Sequence, residues 1–309
     1  NMPELPEGYS IEDELPEEFA DQLVIEDDRL SETGFTKISF SSLTHLVVND
    51  GVSLRPSEVK QVLAPNGLSF STTEVPMMEI GNSSFTFRAG SFGDFGYYGI
   101  ENDVIGTSGV TFGSNTSVTT SPGGSISISG PTGDISGTFS APGGTIKVST
   151  INTAALIDNI LRINSDARFY ARGVNQVTDD ILNNEFVLEP LSGGSISFSA
   201  DGTLMMEEGV LVDVSGSEMI TSYRMASGGQ LIAYDSAGQP GSVSLSFFKG
   251  TNDSGESLIQ ADFIANKSLN ATQGGTFSLK KTDGSVEYAL DPDLVDNLEA
   301  GGFDHFSLE

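Results

Sequence analysis

The chain has 309 residues, of which 36 are glycine and none is cysteine or tryptophan. The absence of cysteine excludes disulfides, thiolate zinc sites and a thiol nucleophile. Its 14 basic and 43 acidic residues give a formal net charge of −29, which argues against binding to nucleic acid or to an anionic membrane, because both need clustered Lys and Arg.

Residues 1–33 differ in composition from everything that follows. Acidic side chains dominate them, and Pro3, Pro6 and Pro16 interrupt any long helix. We therefore predict that residues 1–33 form an acidic connector with one or two short ordered pieces rather than a domain.

From Gly34 onward, short runs alternate apolar and polar residues, which is the pattern of strands with one buried face. Five of these runs begin with a glycine pair, namely Gly123-Gly124, Gly143-Gly144, Gly193-Gly194, Gly228-Gly229 and Gly274-Gly275. A recurring pattern of this kind indicates a repeat architecture. Glycine pairs permit left-handed corners and close stacking of successive corners, whereas Asn66-Gly67 is the only Asn-Gly hairpin signal.

These repeats predict an all-β fold in which residues 34–309 coil as a parallel β-helix, or solenoid, of about ten or more coils. The apolar residues at alternate positions after the glycine pairs should then point into one shared core. The clearest of them are Ile126, Ile128, Ile146, Val148, Ile196, Phe198, Phe277 and Leu279.

Residues 151–190 do not fit the repeat, because they lack glycine pairs and begin with a different periodicity. The helix-like spacing belongs to Ala154, Ala155, Leu156, Ile157, Ile160 and Leu161. We predict a small irregular or helical excursion from the coil over this region.

A second, longer repeat relates the two ends of the module. The segment Leu30–Phe40 matches Leu298–Leu308 with an offset of 268 at every apolar position. The match predicts that Phe35 and Phe303 are buried at the same corner of the coil, and that a new module starts at about residues 302–309. The last strand should then present an open parallel edge.

Several of these sequences resemble filamentous-haemagglutinin-like large exoproteins, the adhesins of two-partner secretion. The resemblance rests on the glycine-pair strand openings, the segments Ala141–Ile146 and Val212–Gly216, and the Gly-Phe module starts, and it covers roughly residues 34–309. It implies an internal repeat segment of a long right-handed β-helix. It also implies export by an outer-membrane partner transporter and a place on the surface of a Gram-negative bacterium. No catalytic or ligand residue is carried over.

The polar residues suggest no catalytic, cofactor or metal site. His45 and His305 are the only histidines and lie near opposite ends of the chain, so they are expected to be surface or rung residues. Basic and acidic residues concentrate only between residues 162 and 180, as Arg162, Arg168, Arg172, Asp166, Asp179 and Asp180. Structural ion pairs are the favoured interpretation of this group, and a saccharide-binding or lytic site is the alternative.

Two further segments can be interpreted either as ordinary loops or as ligand-binding sites. Asn252–Glu256 carries oxygen ligands suited to Ca²⁺ but lacks the spacing of a known calcium loop, so a solvated turn is favoured. The aromatic cluster of Phe92, Phe95, Tyr97 and Tyr98 could stack on a sugar, but a glycine-rich loop over a core opening is favoured.

The sequence therefore predicts a structural or adhesive segment of a secreted surface fibre, and not an enzyme. Its expected partners are the export transporter, neighbouring modules in end-to-end contact and a glycan or other cell-surface target. The alternatives are a carbohydrate-active β-helix enzyme, such as a polysaccharide lyase or hydrolase, and a tailspike-like fibre.

Overall fold

A computed structural model describes Ile25 and residues 35–63, 70–74, 77, 80–90, 108–150, 159–180, 185–225, 231–250, 257–269, 271–282 and 292–309. The acidic connector predicted for residues 1–33 lies outside these residues except for Ile25. Within the described part the protein is mostly β, as predicted, with parallel sheets. No helix of the described part is long and apolar enough to cross a membrane.

The elements are numbered here in chain order. The strands are β1 (Lys37–Ser41), β2 (His45–Val48), β3 (Ser53–Leu54), β4 (Val59–Leu63), β5 (Phe70–Glu74), β6 (Ser84–Arg88), β7 (Gly109–Phe112), β8 (Ser117–Thr119), β9 (Ser125–Gly130), β10 (Gly133–Ile135), β11 (Thr138–Ser140), β12 (Thr145–Thr150), β13 (Ile160–Ile163), β14 (Arg168–Tyr170), β15 (Asn175–Asp180), β16 (Glu185–Pro190), β17 (Ser195–Met206), β18 (Leu211–Asp213), β19 (Ile220–Met225), β20 (Leu231–Ser236), β21 (Ser242–Lys249), β22 (Asp262–Ile264), β23 (Gly275–Lys281) and β24 (Phe303–Leu308). The single described helix is α1 (Pro292–Ala300).

Parallel pairing arranges most strands in three ladders. Ladder 1 runs β1-β6-β9-β12-β17-β21-β23-β24, ladder 2 runs β2-β7-β10-β13-β17, and ladder 3 runs β3-β8-β11-β14-β18-β22. The long strand β17 joins the first two, because its first half pairs with β12 and β21 and its second half with β13. The chain thus passes from ladder to ladder, and ladder 1 contains eight described strands.

The register of ladder 1 aligns chemically similar residues into rows. One interior row consists of Ile38, Phe85, Ile126, Ile146, Ile196, Val243, Phe277 and Phe306. The next interior row consists of Phe40, Phe87, Ile128, Val148, Phe198, Leu245, Leu279 and Leu308. All eight residues predicted to share a core are buried in one hydrophobic cluster, which confirms that prediction.

Aromatic rings connect the ladders through this core. Phe169 of ladder 3 stacks on Phe139 at a centroid distance of 5.1 Å and meets Phe198 of ladder 1 edge-on at 4.9 Å. Phe139 in turn meets Phe112 of ladder 2 edge-on at 5.0 Å. Rings from all three ladders therefore fill one interior, in geometries that favour aromatic pairs.

The second glycine of most pairs lies at the start of a ladder 1 strand, where the backbone comes very close to that of the neighbouring strand. Gly124, Gly144, Gly194 and Gly241 occupy one row, and a Cβ on any of the last three would overlap the carbonyl oxygen of the glycine before it. Those same carbonyls accept hydrogen bonds from the next strand of ladder 1, such as that from the Ser195 N–H to Gly144 at 2.9 Å. Only glycine fits such an approach.

The prediction that each glycine pair precedes a strand of the shared parallel sheet is wrong for Gly228-Gly229. The strand that follows this pair, β20, pairs antiparallel with β19 and is not part of ladder 1. The corresponding corner is formed by Pro240 and Gly241, which precede β21. Antiparallel and parallel strands share the same alternation of side chains, so the pattern did not separate them.

Three antiparallel hairpins leave the fold between ladder 3 and the next strand of ladder 1. They are β4–β5, β15–β16 and β19–β20, and β16 also contacts β19. The excursion predicted near residues 151–190 as irregular or helical is not helical in its described part, since Ile160 and Leu161 belong to strand β13. What leaves the sheet there is the antiparallel pair β15–β16. Ala154, Ala155, Leu156 and Ile157 lie outside the described residues.

The two ends of ladder 1 differ in how they are covered. Phe303 is buried, whereas Phe35 is 55% exposed, so the predicted equivalence of their burial is wrong. Helix α1 explains the difference: it buries Leu294 and Leu298 against the core and contacts β22 and β24, next to Phe303. Among the described residues, β24 pairs on one side only, with β23.

Candidate functional site

The most organised polar arrangement lies where ladder 3 turns toward ladder 1. Asp213 ends β18 and is 2% exposed, and the side chain of Arg172, which follows the neighbouring strand β14, covers it. The Nε of Arg172 donates to Oδ2 of Asp213 at 2.6 Å, and its Nη2 reaches the same oxygen. Oδ1 accepts the backbone N–H of Ser215 at 2.9 Å. Both carboxylate oxygens are therefore engaged.

Stacking fixes the plane of this guanidinium. Its central carbon lies 4.8 Å from the centroid of the Tyr170 ring, in the range of a cation–π contact. Tyr170 and Asp213 are register partners on β14 and β18, so the ladder itself sets the spacing of ring, carboxylate and guanidinium. The Arg172 side chain is 53% exposed, which leaves its outer edge open to solvent.

A shallow groove of about 570 Å³ begins at this pair. Its wall also includes Asn175, Glu218 and Lys267. The Oδ1 of Asn175 is buried without a hydrogen-bond partner in the described part of the chain. A guanidinium edge, an ammonium and an unpaired amide oxygen can bind a polar ligand, whereas both carboxylate oxygens of Asp213 are already engaged by Arg172 and Ser215.

We expect the Arg172–Asp213 pair to stabilise the fold measurably. Arg172→Met should lower the free energy of unfolding by up to about 3 kcal/mol, because it leaves a buried carboxylate with one backbone donor. The double variant Arg172→Met/Asp213→Asn should recover part of that loss, giving a coupling on the order of 1–2 kcal/mol in a double-mutant cycle measured by urea unfolding. Additive effects of the two changes would contradict a direct interaction.

The other two arginines of the predicted group lie away from the groove. Nη1 of Arg168 donates to the carbonyls of Ser165, Ala167 and Gly209, at 2.9, 2.9 and 2.6 Å. Arg162 is exposed on β13, opposite Asp134 of β10.

The acidic members of that group are also dispersed. Asp166 is exposed in the turn between β13 and β14, and Asp179 and Asp180 lie on β15. Among the side chains of this group that the structure describes, Arg172 lies at the groove, whereas Arg162, Arg168 and Asp166 do not line it.

The two histidines lie at opposite ends of the stacked strands. His45 is on β2 and His305 on β24, seven strand-to-strand steps apart along the sheet, or about 33 Å at the usual strand spacing. His305 contacts Asp304 through Nδ1. The backbone N–H of Gly274 and, to a lesser extent, His305 hold the pKa of Asp304 below its ordinary value.

The remaining candidates lie outside the described residues, namely the loop 252–256 and the aromatic cluster of Phe92, Phe95, Tyr97 and Tyr98. Within the residues that the structure does describe, no group of three or more His, Cys, Asp or Glu could hold a metal ion.

Sequence reasoning missed Asp213, Asn175 and Lys267 as neighbours of Arg172. Only Asp213 carries a local signal, since it stands between Val212 and Val214, which are both buried. Comparisons of the chain with models of protein families, with curated proteins and with solved structures find no match.

Proposed function

We propose that the chain is a right-handed parallel β-helix and serves as a structural and adhesive segment of a long secreted bacterial surface fibre. The observation that carries the proposal is the relation between the long sequence repeat and ladder 1. Ile38 and Phe306 are 268 residues apart and stand in the same interior row, at its two ends. Phe40 and Leu308 have the same relation in the next row.

One copy of the sequence repeat therefore corresponds to a whole number of strand steps. Ladder 1 takes seven steps from β1 to β24, which gives a rise of about 33 Å at 4.7–4.8 Å a step. A repeat that returns to the same row in the same register can be continued without a change of cross-section. Repetition of this kind produces length and stiffness, which are the properties of a fibre.

The adhesive part of the proposal concerns one corner of the fold. All three described hairpins and the Arg172 groove lie on the path from ladder 3 to ladder 1. The hairpins expose the apolar side chains Leu188, Ile232 and Tyr234, which are 41%, 38% and 48% exposed. Projections with exposed aromatic and polar groups are suited to contact a glycan or another cell-surface molecule.

The second candidate is a carbohydrate-active enzyme, and the groove is the observation that favours it. Arg172 and Lys267 stand there beside the carboxylate of Glu218. Hydrolysis needs a second free carboxylate at about 5–10 Å, and Asp213 is engaged by Arg172 and Ser215. We therefore expect that the protein releases no reducing or unsaturated sugars from acidic polysaccharides. Release of such sugars by the parent protein, and its loss in the Glu218→Gln variant, would favour the enzyme instead.

The fibre proposal is tested with a tandem protein in which residues 30–297 are duplicated in front of residues 298–309. Small-angle X-ray scattering should show a maximum dimension longer by about 33 Å, because seven strand steps are added. The cross-sectional radius of gyration should stay the same. The parent chain measured under the same conditions is the control.

Two results would contradict the proposal. A tandem protein that scatters as two bodies joined by a flexible link would show that the repeat does not continue the ladders. A thicker particle of unchanged length would show side-by-side packing instead.

A further inference from the structure

The Arg172 groove is built by three segments that follow successive strands of ladder 3. Arg172 follows β14, Glu218 follows β18 and Lys267 follows β22. Strand β14 pairs with β11 and β18, and β18 pairs with β14 and β22. The strands that carry Arg172 and Glu218 thus have described neighbours on both sides, and this part of the groove belongs to the side of the ladder rather than to its end.

Backbone hydrogen bonds keep the three segments stacked beyond their strands. Gly173 donates to the carbonyl of Ser215 at 2.8 Å, and Gly216 donates to that of Asn266 at 3.0 Å. Gly173, Gly216 and Lys267 consequently stand in one row that spans two strand steps, or about 9–10 Å at the usual spacing. The ladder therefore fixes how far apart the backbones of the two cationic residues are.

Both cations have capacity left for an anion. Arg172 uses Nε and Nη2 on Asp213, its Nη1 has no partner among the described residues, and its side chain is 53% exposed. Lys267 is exposed, and no described carboxylate forms a close ion pair with it. The pKa of Asp304 is lowered chiefly by the N–H of Gly274, and Lys267 adds only a small effect through space.

The other groups around the groove suit a ligand that carries many hydroxyls. Glu218 and Asn266 are exposed, and Asn175 also lines the wall. Carboxylate and amide oxygens accept hydrogen bonds from hydroxyls, whereas a guanidinium and an ammonium bind an anion. Among the described residues of the wall, Val174 has the only apolar side chain. The set matches a polar, hydroxyl-rich ligand with an anionic group better than it matches an apolar molecule.

We propose that this groove binds a glycan through the carboxylates of acidic sugars, with the free edge of Arg172 and the ammonium of Lys267 as its anion-binding groups. The proposal rests on the adhesive function proposed above and names the class of its ligand. The Nη1–Nη2 edge of a guanidinium donates two parallel hydrogen bonds to a carboxylate. Tyr170 and Asp213 already hold this guanidinium in one orientation, so little freedom is lost when it binds.

The charges along the groove define the spacing of the acidic sugars. Glu218 follows the strand between those that precede Arg172 and Lys267, so it disfavours an anion at the centre of the groove and accepts from sugar hydroxyls instead. A sugar in an extended chain advances by roughly one strand step. The order of cation, carboxylate and cation therefore fits a glycan in which a neutral sugar separates two acidic ones. The net charge of −29 also opposes a ligand with an acid on every unit.

The test is a ligand-observed NMR titration of the parent chain with a tetrasaccharide of alternating glucuronic acid and N-acetylglucosamine. Its dissociation constant should be about 1 mM or lower, in the range of a single weak contact. The same tetrasaccharide with its carboxyls methylated, and the neutral tetramer of N-acetylglucosamine, should bind about tenfold more weakly or worse, because the charge-assisted hydrogen bonds are lost. A tetramer of galacturonic acid, with a carboxylate on every sugar, should also bind more weakly than the alternating one.

Two variants locate the binding in the groove. Lys267→Gln removes one cation and should weaken binding of the alternating tetrasaccharide by about fivefold or more. Arg172→Gln/Asp213→Asn replaces the ion pair by two amides and should weaken it by about tenfold or more. Lys147→Gln is the matched control, because it changes the net charge equally on an exposed residue of β12 that does not line the groove. If the double variant loses the near-ultraviolet circular dichroism of the parent, Lys267→Gln decides alone.

Four results would overturn the inference. They are failure of the alternating tetrasaccharide to bind, equal binding of its methyl ester, tighter binding of the galacturonic acid tetramer, and equal weakening by Lys147→Gln and Lys267→Gln. If the parent chain bound the neutral tetramer alone, the adhesive function would stand and only this ligand class would be wrong. The scattering test of the tandem protein is independent of all four, because it measures how the ladders continue and not what the groove binds.

Discussion

Gly194→Ala is expected to destabilise the protein by about 3 kcal/mol or more, which is the upper range for overpacking a buried site. The added Cβ would overlap the carbonyl oxygen of Gly144, and that oxygen accepts a hydrogen bond from Ser195. The start of β17 must therefore move away from the start of β12, or the hydrogen bond from Ser195 to Gly144 must be lost. Thermal unfolding followed by circular dichroism should show a melting temperature lower by roughly 5–10 °C.

Gly81→Ala is the control for this experiment. No atom lies within 4 Å of a Cβ built on Gly81, and its φ is not in the left-handed region. We expect a change within about 0.5 kcal/mol, as for ordinary surface substitutions. If Gly194→Ala melted with the parent protein, the close stacking of corners would be wrong. Gly241→Ala, in the same row, provides a second measurement.

Phe169→Ala should cost about 3–5 kcal/mol, the range for removing a buried aromatic ring. Phe169 is fully buried and contacts Phe139 and Phe198, so its loss leaves a cavity at the point where ladders 1 and 3 meet. The strand that carries Phe169 is paired on both sides, with β11 and β18, so the backbone has little freedom to collapse into the space. Urea unfolding should show a lower midpoint with a similar slope.

Phe248→Ala serves as the comparison, because the same ring is removed from a position that is 52% exposed. We expect it to change stability by less than about 0.5 kcal/mol. Equal effects of the two substitutions would mean that Phe169 does not belong to a tightly packed interior.

Local pattern was enough to predict several strands of ladder 1, among them β9, β12, β17 and β23. The alternation in Ile126 and Ile128, or in Ile196 and Phe198, fixes which side of a strand is buried, because side chains alternate with a period of two. The pairs Gly123-Gly124, Gly143-Gly144 and Gly193-Gly194 marked true corners, because the close approach there excludes any side chain.

The candidate site was largely beyond sequence reasoning. Arg172 and Asp213 are 41 residues apart, and only the pairing of β14 with β18 brings them together. The clustering of Arg162, Arg168 and Arg172 in the sequence suggested one group, but the structure places Arg162 on β13 of ladder 2, Arg168 on β14 of ladder 3 and Arg172 beyond the end of β14. Nearness along a chain says little about nearness in space once the chain passes from one ladder to another.

By itself, the sequence determined that this protein is mostly β, where its buried rows lie and that its two ends match with an offset of 268. The first two follow from the alternation of side chains along a strand and from the backbone conformations and close contacts that only glycine permits, and both effects act within a few residues. Only the tertiary structure decided that β15 pairs antiparallel with β16 and β19 with β20, that α1 covers the core beside Phe303, and that Asp213 meets Arg172. Each of these depends on which strand lies beside which, and strand pairing is set by contacts between residues that are far apart in the chain.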